Sequence, residues 1–275
     1  MRLYHQLIAV LVLGVAIQGL IAEERKDRDP DRNPRAPVVQ EPAQPGRPFT
    51  IDLGRDESLD FVWVAPMKML VGKYEVSNGQ FRRYDTSHDS TNVIERDFDE
   101  DVQPVVNVSW EEANNYCGWL NRRYGSWIPA DVVWRLPTEK EWQTLARCGV
   151  QRTYPWGNQW PPPDTCNYRG VEGSGILYSL FQKEQFIRGH NDGYIVSCPI
   201  TNSGVNAWGL YGVSGNVWEW CGDWFDTKKE TRVIRGGAWN NERESALRIA
   251  HRAAAAPEWD NASIGFRVVI GPPLP

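Results

Sequence analysis

Cysteine and histidine are the side chains best suited to nucleophilic, redox or metal chemistry. This 275-residue chain spaces them so that the commonest versions of that chemistry are excluded. Its cysteines, Cys117, Cys148, Cys166, Cys198 and Cys221, form no CxxC pair, and its histidines, His5, His88, His190 and His251, are scattered. A zinc finger and a two-histidine metal helix are therefore not expected. Gly215-Asn216-Val217-Trp218-Glu219 offers a different chemistry: an amide oxygen and a carboxylate in a tight turn, with carbonyls between them. Oxygen donors on a glycine-loosened backbone suit a hard cation.

The body that positions these groups has an unusual composition. Hydrophobic residues at 41% and charged residues at 24% are ordinary for a soluble globular protein, and a net charge of −5 argues against gripping nucleic acid. Tryptophan is the exception: 14, against 10 Tyr and 8 Phe, beside 24 Gly and 19 Pro. That mixture excludes a helical bundle or coiled coil and points to a loop-rich body whose burial is carried by large rings.

Residues 1–22 read as an export signal, with Arg2 at the positive end, an apolar stretch over 7–20 and cleavage after Ala22. The stretch is short for a membrane span, and its retention as an uncleaved anchor is the alternative. No other transmembrane span is expected, and the destination is periplasmic or secreted. Residues 23–48 follow as a linker with six Pro, six acidic and six basic residues and almost nothing to bury. In an oxidising compartment cysteines can pair. Five is odd, so at least one thiol stays free or pairs outside the chain. Connectivity is not fixed by sequence, and Cys166 with Cys198, which flank the most irregular stretch, is the expected pair.

Residues 49–275 read as one α+β domain. Two short strands are expected over 49–64 with a turn at Gly54, and a third over 71–76. Ser77 then caps a helix over 78–84. Ser109-Trp110-Glu111-Glu112 is a capping box, followed by Ala113, Tyr116, Cys117, Leu120 and Tyr124 at helical spacing. Thr138-Glu139-Lys140-Glu141 is a second box, followed by Trp142, Leu145 and Ala146 and closed by Gly149. Beyond it the chain shows no helical pattern and is dense in turn residues. Loops of that length are usually functional or tied by an ion.

Seven segments in order carry a resemblance. They are Gly72-Lys73-Tyr74-Glu75-Val76-Ser77-Asn78, Pro104-Val105-Val106-Asn107-Val108-Ser109-Trp110, Arg135-Leu136-Pro137-Thr138-Glu139-Lys140-Glu141-Trp142, Tyr154-Pro155-Trp156-Gly157-Asn158, Gly209-Leu210-Tyr211-Gly212-Val213-Ser214-Gly215-Asn216-Val217-Trp218-Glu219-Trp220, Arg235-Gly236-Gly237-Ala238-Trp239 and Ile264-Gly265-Phe266-Arg267. From 49 to 269 the chain resembles the formylglycine-generating enzyme (sulfatase-modifying factor) family. The resemblance implies a loop-rich α+β fold related to C-type lectins, with few helices, short strands and bound calcium. One calcium site would use Asn167, the carbonyl of Tyr168, Asp192 and the carbonyl of Tyr194. A second would use Gly212, the carbonyls of Gly215 and Val217, and Glu219; Gly212 has no side chain to give, so that site loses a ligand.

The family's aerobic enzymes act through two cysteines after the Gly-Gly motif, a soft pair that holds copper. Here the first such position holds Asn241 and the second falls within 244–246, and Cys221 is the last cysteine of the chain. The copper-thiolate mechanism is excluded. The family disulfide partners of Cys117 and Cys148 are also missing, since those positions hold Val268 and Ile249. Two readings follow. In the first the protein is a calcium-supported binding or scaffold module. It presents the 239–263 surface, with Asn240, Asn241, Arg243, Arg248, Arg252, Trp259 and Asp260, to an unidentified protein or small molecule. In the second it is a periplasmic oxidoreductase or modifying enzyme of the family, like its siderophore-chromophore-oxidising members, with His251, Glu244 and Glu258 as the candidate non-thiol groups.

Overall fold

The computed structural model describes residues 41–91, 97–173 and 185–274. The export signal and most of the linker lie outside them. The body takes in the linker's end, because Ala43 is buried and its N–H donates to the Trp127 carbonyl at 2.8 Å.

Two small sheets carry the fold. The first holds β1 (Phe49–Gly54), β2 (Glu57–Val64), β3 (Met69–Gly72), β9 (Val269–Gly271) and β4 (Val133–Arg135) in that spatial order, all antiparallel. Alternation of buried Phe49, Ile51 and Leu53 with exposed neighbours fits β1 to a half-buried edge. The second sheet runs β7 (Ala253–Ala255), β6 (Arg232–Arg235), β5 (Trp218–Trp224) and β8 (Ile264–Gly265), with β5 and β8 parallel.

Three capped helices complete it: α1 (Asn78–Phe81), α2 (Trp110–Tyr124) and α3 (Glu139–Arg147). Each begins with a reciprocal capping box, Ser77 with Gln80, Ser109 with Glu112 and Thr138 with Glu141. The expected stripe Ala113, Tyr116, Cys117, Leu120 and Tyr124 is the buried face of α2. The remaining connections are long loops, so the protein is a loop-rich α+β fold. Among the described residues no helix is long and apolar enough to cross a membrane.

Four local expectations need correction. The third strand lies over 69–72 rather than 71–76, because its pairing with β2 runs from Val64 opposite Met69 to Phe61 opposite Gly72. The first helix stops at Phe81 instead of reaching 84. The last is closed by Cys148 in the left-handed region, φ 48°, before Gly149 is reached. All five cysteines are free and buried, so Cys166 and Cys198 are not paired.

Glu57 opens β2, and its carboxylate fills the space that a side chain on Gly79 of α1 would need. Burial, and then the charge of Asp101, raise this carboxyl to about 7. The folded protein therefore binds the proton more tightly than the unfolded chain, and stability is lost as pH rises from about 4.5 to about 7. Melts across that interval should show Tm falling with pH, and Glu57→Gln should flatten the fall. A wild-type slope unchanged in the variant would refute this.

Candidate functional site

The positions that would need thiols are built for something else. Gly236 and Gly237 turn the chain after β6 with φ of 106° and 79°, values that favour glycine. A Cβ on Gly237 would press on Leu247 and Tyr168, each at 3.1 Å. Asn241, at the first thiol position, accepts the Ala238 N–H on Oδ1 at 2.9 Å, and its carbonyl accepts the Arg169 N–H at 3.1 Å. It is a turn former rather than a free recognition group. Residues Glu244–Leu247 make a 3-10 turn that drives Leu247 into a cluster with Cys166, Tyr168, Ile187 and Trp156. An aliphatic side chain thus fills the ground beside the lost pair. The five remaining thiols are no substitute: burial pushes each of them up, Cys166 to about 12, so they stay protonated.

The 239–263 segment does not act as one surface. Glu244 accepts the Tyr154 hydroxyl at 2.6 Å and pairs with Arg248 at 2.8 Å, and these two contacts hold its carboxyl below the usual range. Arg243 is exposed beside this pair, and Asn240 has a buried Oδ1 with no protein donor. Arg252 instead folds back onto Glu139, at 2.7 and 2.9 Å, and donates to the Phe225 carbonyl at 2.9 Å. It ties β7 to α3 and is removed from the recognition set. His251 is half-buried, its ring 5.8 Å from that of Trp218, and burial followed by Arg235 lowers its pKa. Glu258, Trp259 and Asp260 sit exposed on a turn whose Pro257 carbonyl accepts the Trp110 N–H. No contact among the described residues joins Glu244, His251 and Glu258, so the acid–base group expected from them is not assembled.

An aromatic loop missed by sequence reasoning stands beside Glu244. Tyr154 and Trp156 stack at 4.6 Å and 3°, and Trp160, 38% exposed, lies 5.9 Å from Tyr154. The signal was the density of rings between 154 and 160, which reads equally well as core packing. Together with Asn240, Arg243, Glu244 and Arg248, these rings form the candidate face.

The two expected cation loops differ in which of their donor atoms are free. In the first, Asn167 is buried with its Oδ1 unpartnered, while its Nδ2 donates to the Val196 carbonyl at 3.1 Å. Asp192 accepts the Tyr168 N–H at 2.9 Å and the Tyr194 N–H at 2.8 Å, which brings all four expected residues together. An orphaned amide oxygen beside a buried carboxylate fits a hard cation. In the second, Glu219 is fully buried and its oxygens are taken. Arg267 Nε reaches both, at 3.0 and 2.9 Å, Arg267 Nη2 reaches Oε1 at 2.5 Å, and Trp142 Nε1 reaches Oε2 at 2.9 Å. A Cβ on Gly212 would meet the Glu75 carboxyl at 2.5 Å, so Glu75 fills the space of the missing ligand. The second loop, including the carbonyls of Gly215 and Val217, does not fit a cation held by Glu219. No group of three or more His, Cys, Asp or Glu side chains able to hold a metal occurs among the described residues.

Residues 29–272 match the family profile described as a sulfatase-modifying factor enzyme 1-like domain. The chain is 33% identical over 190 residues to a formylglycine-generating enzyme of Thermomonospora curvata, covering 62% of this chain and 56% of that protein. It is 31% identical over 175 residues to the inactive C-alpha-formylglycine-generating enzyme 2 of Bos taurus, covering 61% and 50% respectively. It thus spans about half the length of the curated relatives it matches. Among solved structures, Treponema denticola variable protein 1 has a similar fold, with a TM-score of 0.60 at 18% identity over 81% of this chain and 98% of that one.

Proposed function

We propose that this chain, which belongs to the sulfatase-modifying factor enzyme 1-like family, is an exported binding module of that family and not a generator of formylglycine. The observation that carries the reading is the fate of the thiol positions. Asn241 is spent on the Ala238 N–H, Leu247 packs the adjacent ground, and neither thiol position holds a cysteine; the five thiols of the chain are buried, Cys166 singly against Leu247. Copper held by a thiolate pair has no ligands here. An inactive relative of similar identity supports the reading. The partner, a protein or a small molecule, meets the face formed by Tyr154, Trp160, Asn240, Arg243, Glu244 and Arg248. Aromatic rings and arginines of this kind are typical of interface centres. Export follows from the N-terminal pattern.

Calcium supports the loop that carries Asn167 and Asp192, whose oxygens and the carbonyls of Tyr168 and Tyr194 would hold it. When bound it would neutralise the Asp192 charge and tie two distant loop segments. Only one calcium is proposed, because Glu219 is committed to Arg267.

The test uses the full chain, supplied with copper(I), oxygen and a cysteine-containing sulfatase peptide. Conversion of the peptide cysteine to formylglycine, read by mass spectrometry, should not exceed that of a copper control without the protein; turnover above that control would sink the proposal. The same protein should bind one calcium and lose stability on chelation, by about 2.7 kcal/mol for a site held at 100 times its Kd. Asp192→Asn should abolish that dependence. A Tm indifferent to chelator would overturn the calcium assignment.

A further inference from the structure

A cavity of about 280 Å³ opens between the 154–157 turn and the 204–207 turn, and nothing in the proposed function uses it. At roughly 30 Å³ per water it holds about nine waters, the heavy-atom count of benzoate. Its walls have a one-sided chemistry. Among the described residues Arg152 is the one charged side chain that lines it, and no carboxylate does, although the chain as a whole carries −5. Arg152 is anchored by Nη1, which donates to the Pro155 carbonyl at 3.0 Å. Trp156 supplies carbon surface: its indole N–H is already given to the Gln159 carbonyl at 2.8 Å, and stacking on Tyr154 holds the ring in place. The Ser214 hydroxyl and the Cys166 thiol, which bond each other, are buried polar groups of the wall. Thr165 and Val205, the latter 56% exposed, stand at the mouth.

We propose that this cavity binds a small planar carboxylate, its oxygens on Arg152 and its flat body against Trp156. A guanidinium fork matches a carboxylate in plane, and one apolar wall with few polar anchors is the usual build of a small-molecule site. The cavity shares Trp156 with the aromatic loop of the partner face, and Arg152→Gln, which alters the cavity and no residue of that face, tells the two readings apart.

Benzoate and its uncharged counterpart benzamide, titrated into the full chain by calorimetry, test it. Benzoate should bind saturably with a Kd of about 1 mM or tighter, and benzamide at least about tenfold more weakly. Arg152→Gln should weaken benzoate about tenfold or more without affecting benzamide. Because Arg152 also braces the Pro155 turn, a second variant guards against misfolding: Val205→Trp, on the exposed rim, should block both ligands while leaving Tm unchanged. Absence of benzoate binding, equal affinity for benzamide, or benzoate affinity unchanged in Arg152→Gln would overturn the proposal. Inorganic phosphate binding as tightly as benzoate would overturn its planar, apolar half.

Discussion

Arg267→Leu is expected to lose about 3–5 kcal/mol of unfolding free energy, a large fraction of the roughly 5–15 kcal/mol that holds an ordinary domain together. Arg267 is fully buried at the centre of the fold. Besides its bonds to Glu219 it donates to the Gly72 carbonyl at 2.9 Å and the Tyr211 carbonyl at 2.6 Å, so it joins β3, β5 and the 211 loop. It is also the cation facing two buried carboxyls. Burial, and then Glu219, push Glu75 well above the usual carboxylate range; Arg267, followed by the hydrogen bonds from Asn216 and Val217, opposes that shift. Without the guanidinium, the buried Glu219 carboxyl loses its ion-pair partner, and two carbonyls lose their donor. Arg267→Lys should fall between, since it keeps the charge and loses the planar fork. Urea unfolding followed by tryptophan fluorescence measures both; a wild-type midpoint for Arg267→Leu would show that the network is not structural.

Trp220→Ala is expected to cost a similar amount, about 3–5 kcal/mol, by a different mechanism. Trp220 has no exposed surface, sits opposite Ile234 in the β5–β6 pair, and donates its indole N–H to the Val108 carbonyl at 2.9 Å. Truncation opens a cavity in the main core and strands that carbonyl. Trp220→Phe should recover part of the loss, because it restores ring volume and not the hydrogen bond. Calorimetric unfolding that placed Trp220→Ala within about 1 kcal/mol of wild type would mean that the core collapses around the gap. Rings used in this way explain the tryptophan excess: Trp134, Trp142 and Trp220 are among the largest fully buried side chains of a fold with little helix.

How much was legible depended on the range of the interaction. Ser109 with Glu112 and Thr138 with Glu141 announced two helices because each cap bonds a group three residues away. The exact end of α3 was not legible, since Cys148 adopts a left-handed conformation that glycine would ordinarily supply one residue later. The pairing expected of Cys166 and Cys198 failed because proximity of loops in a composition says nothing of thiol geometry. In the candidate face, Glu244 and Arg248 are four residues apart, whereas the Tyr154 hydroxyl that bonds Glu244 comes from 90 residues away, a range at which spacing carries no signal.

The sequence by itself determined what this protein lacks. Copper chemistry through a thiol pair requires two cysteines after Gly237, and a residue's identity needs no fold to be known. It also determined the family, through motifs whose order survives any uncertainty about their contacts. Only the tertiary structure decided what the remaining groups are free to do. Asn216 and Glu75, 141 residues apart, meet in the space left by Gly212, and Arg252 is drawn 113 residues back onto Glu139. A buried charge takes whichever partner the packing brings within about 3 Å, and that choice is made by loops and sheets closing on one another, not by neighbours in the chain.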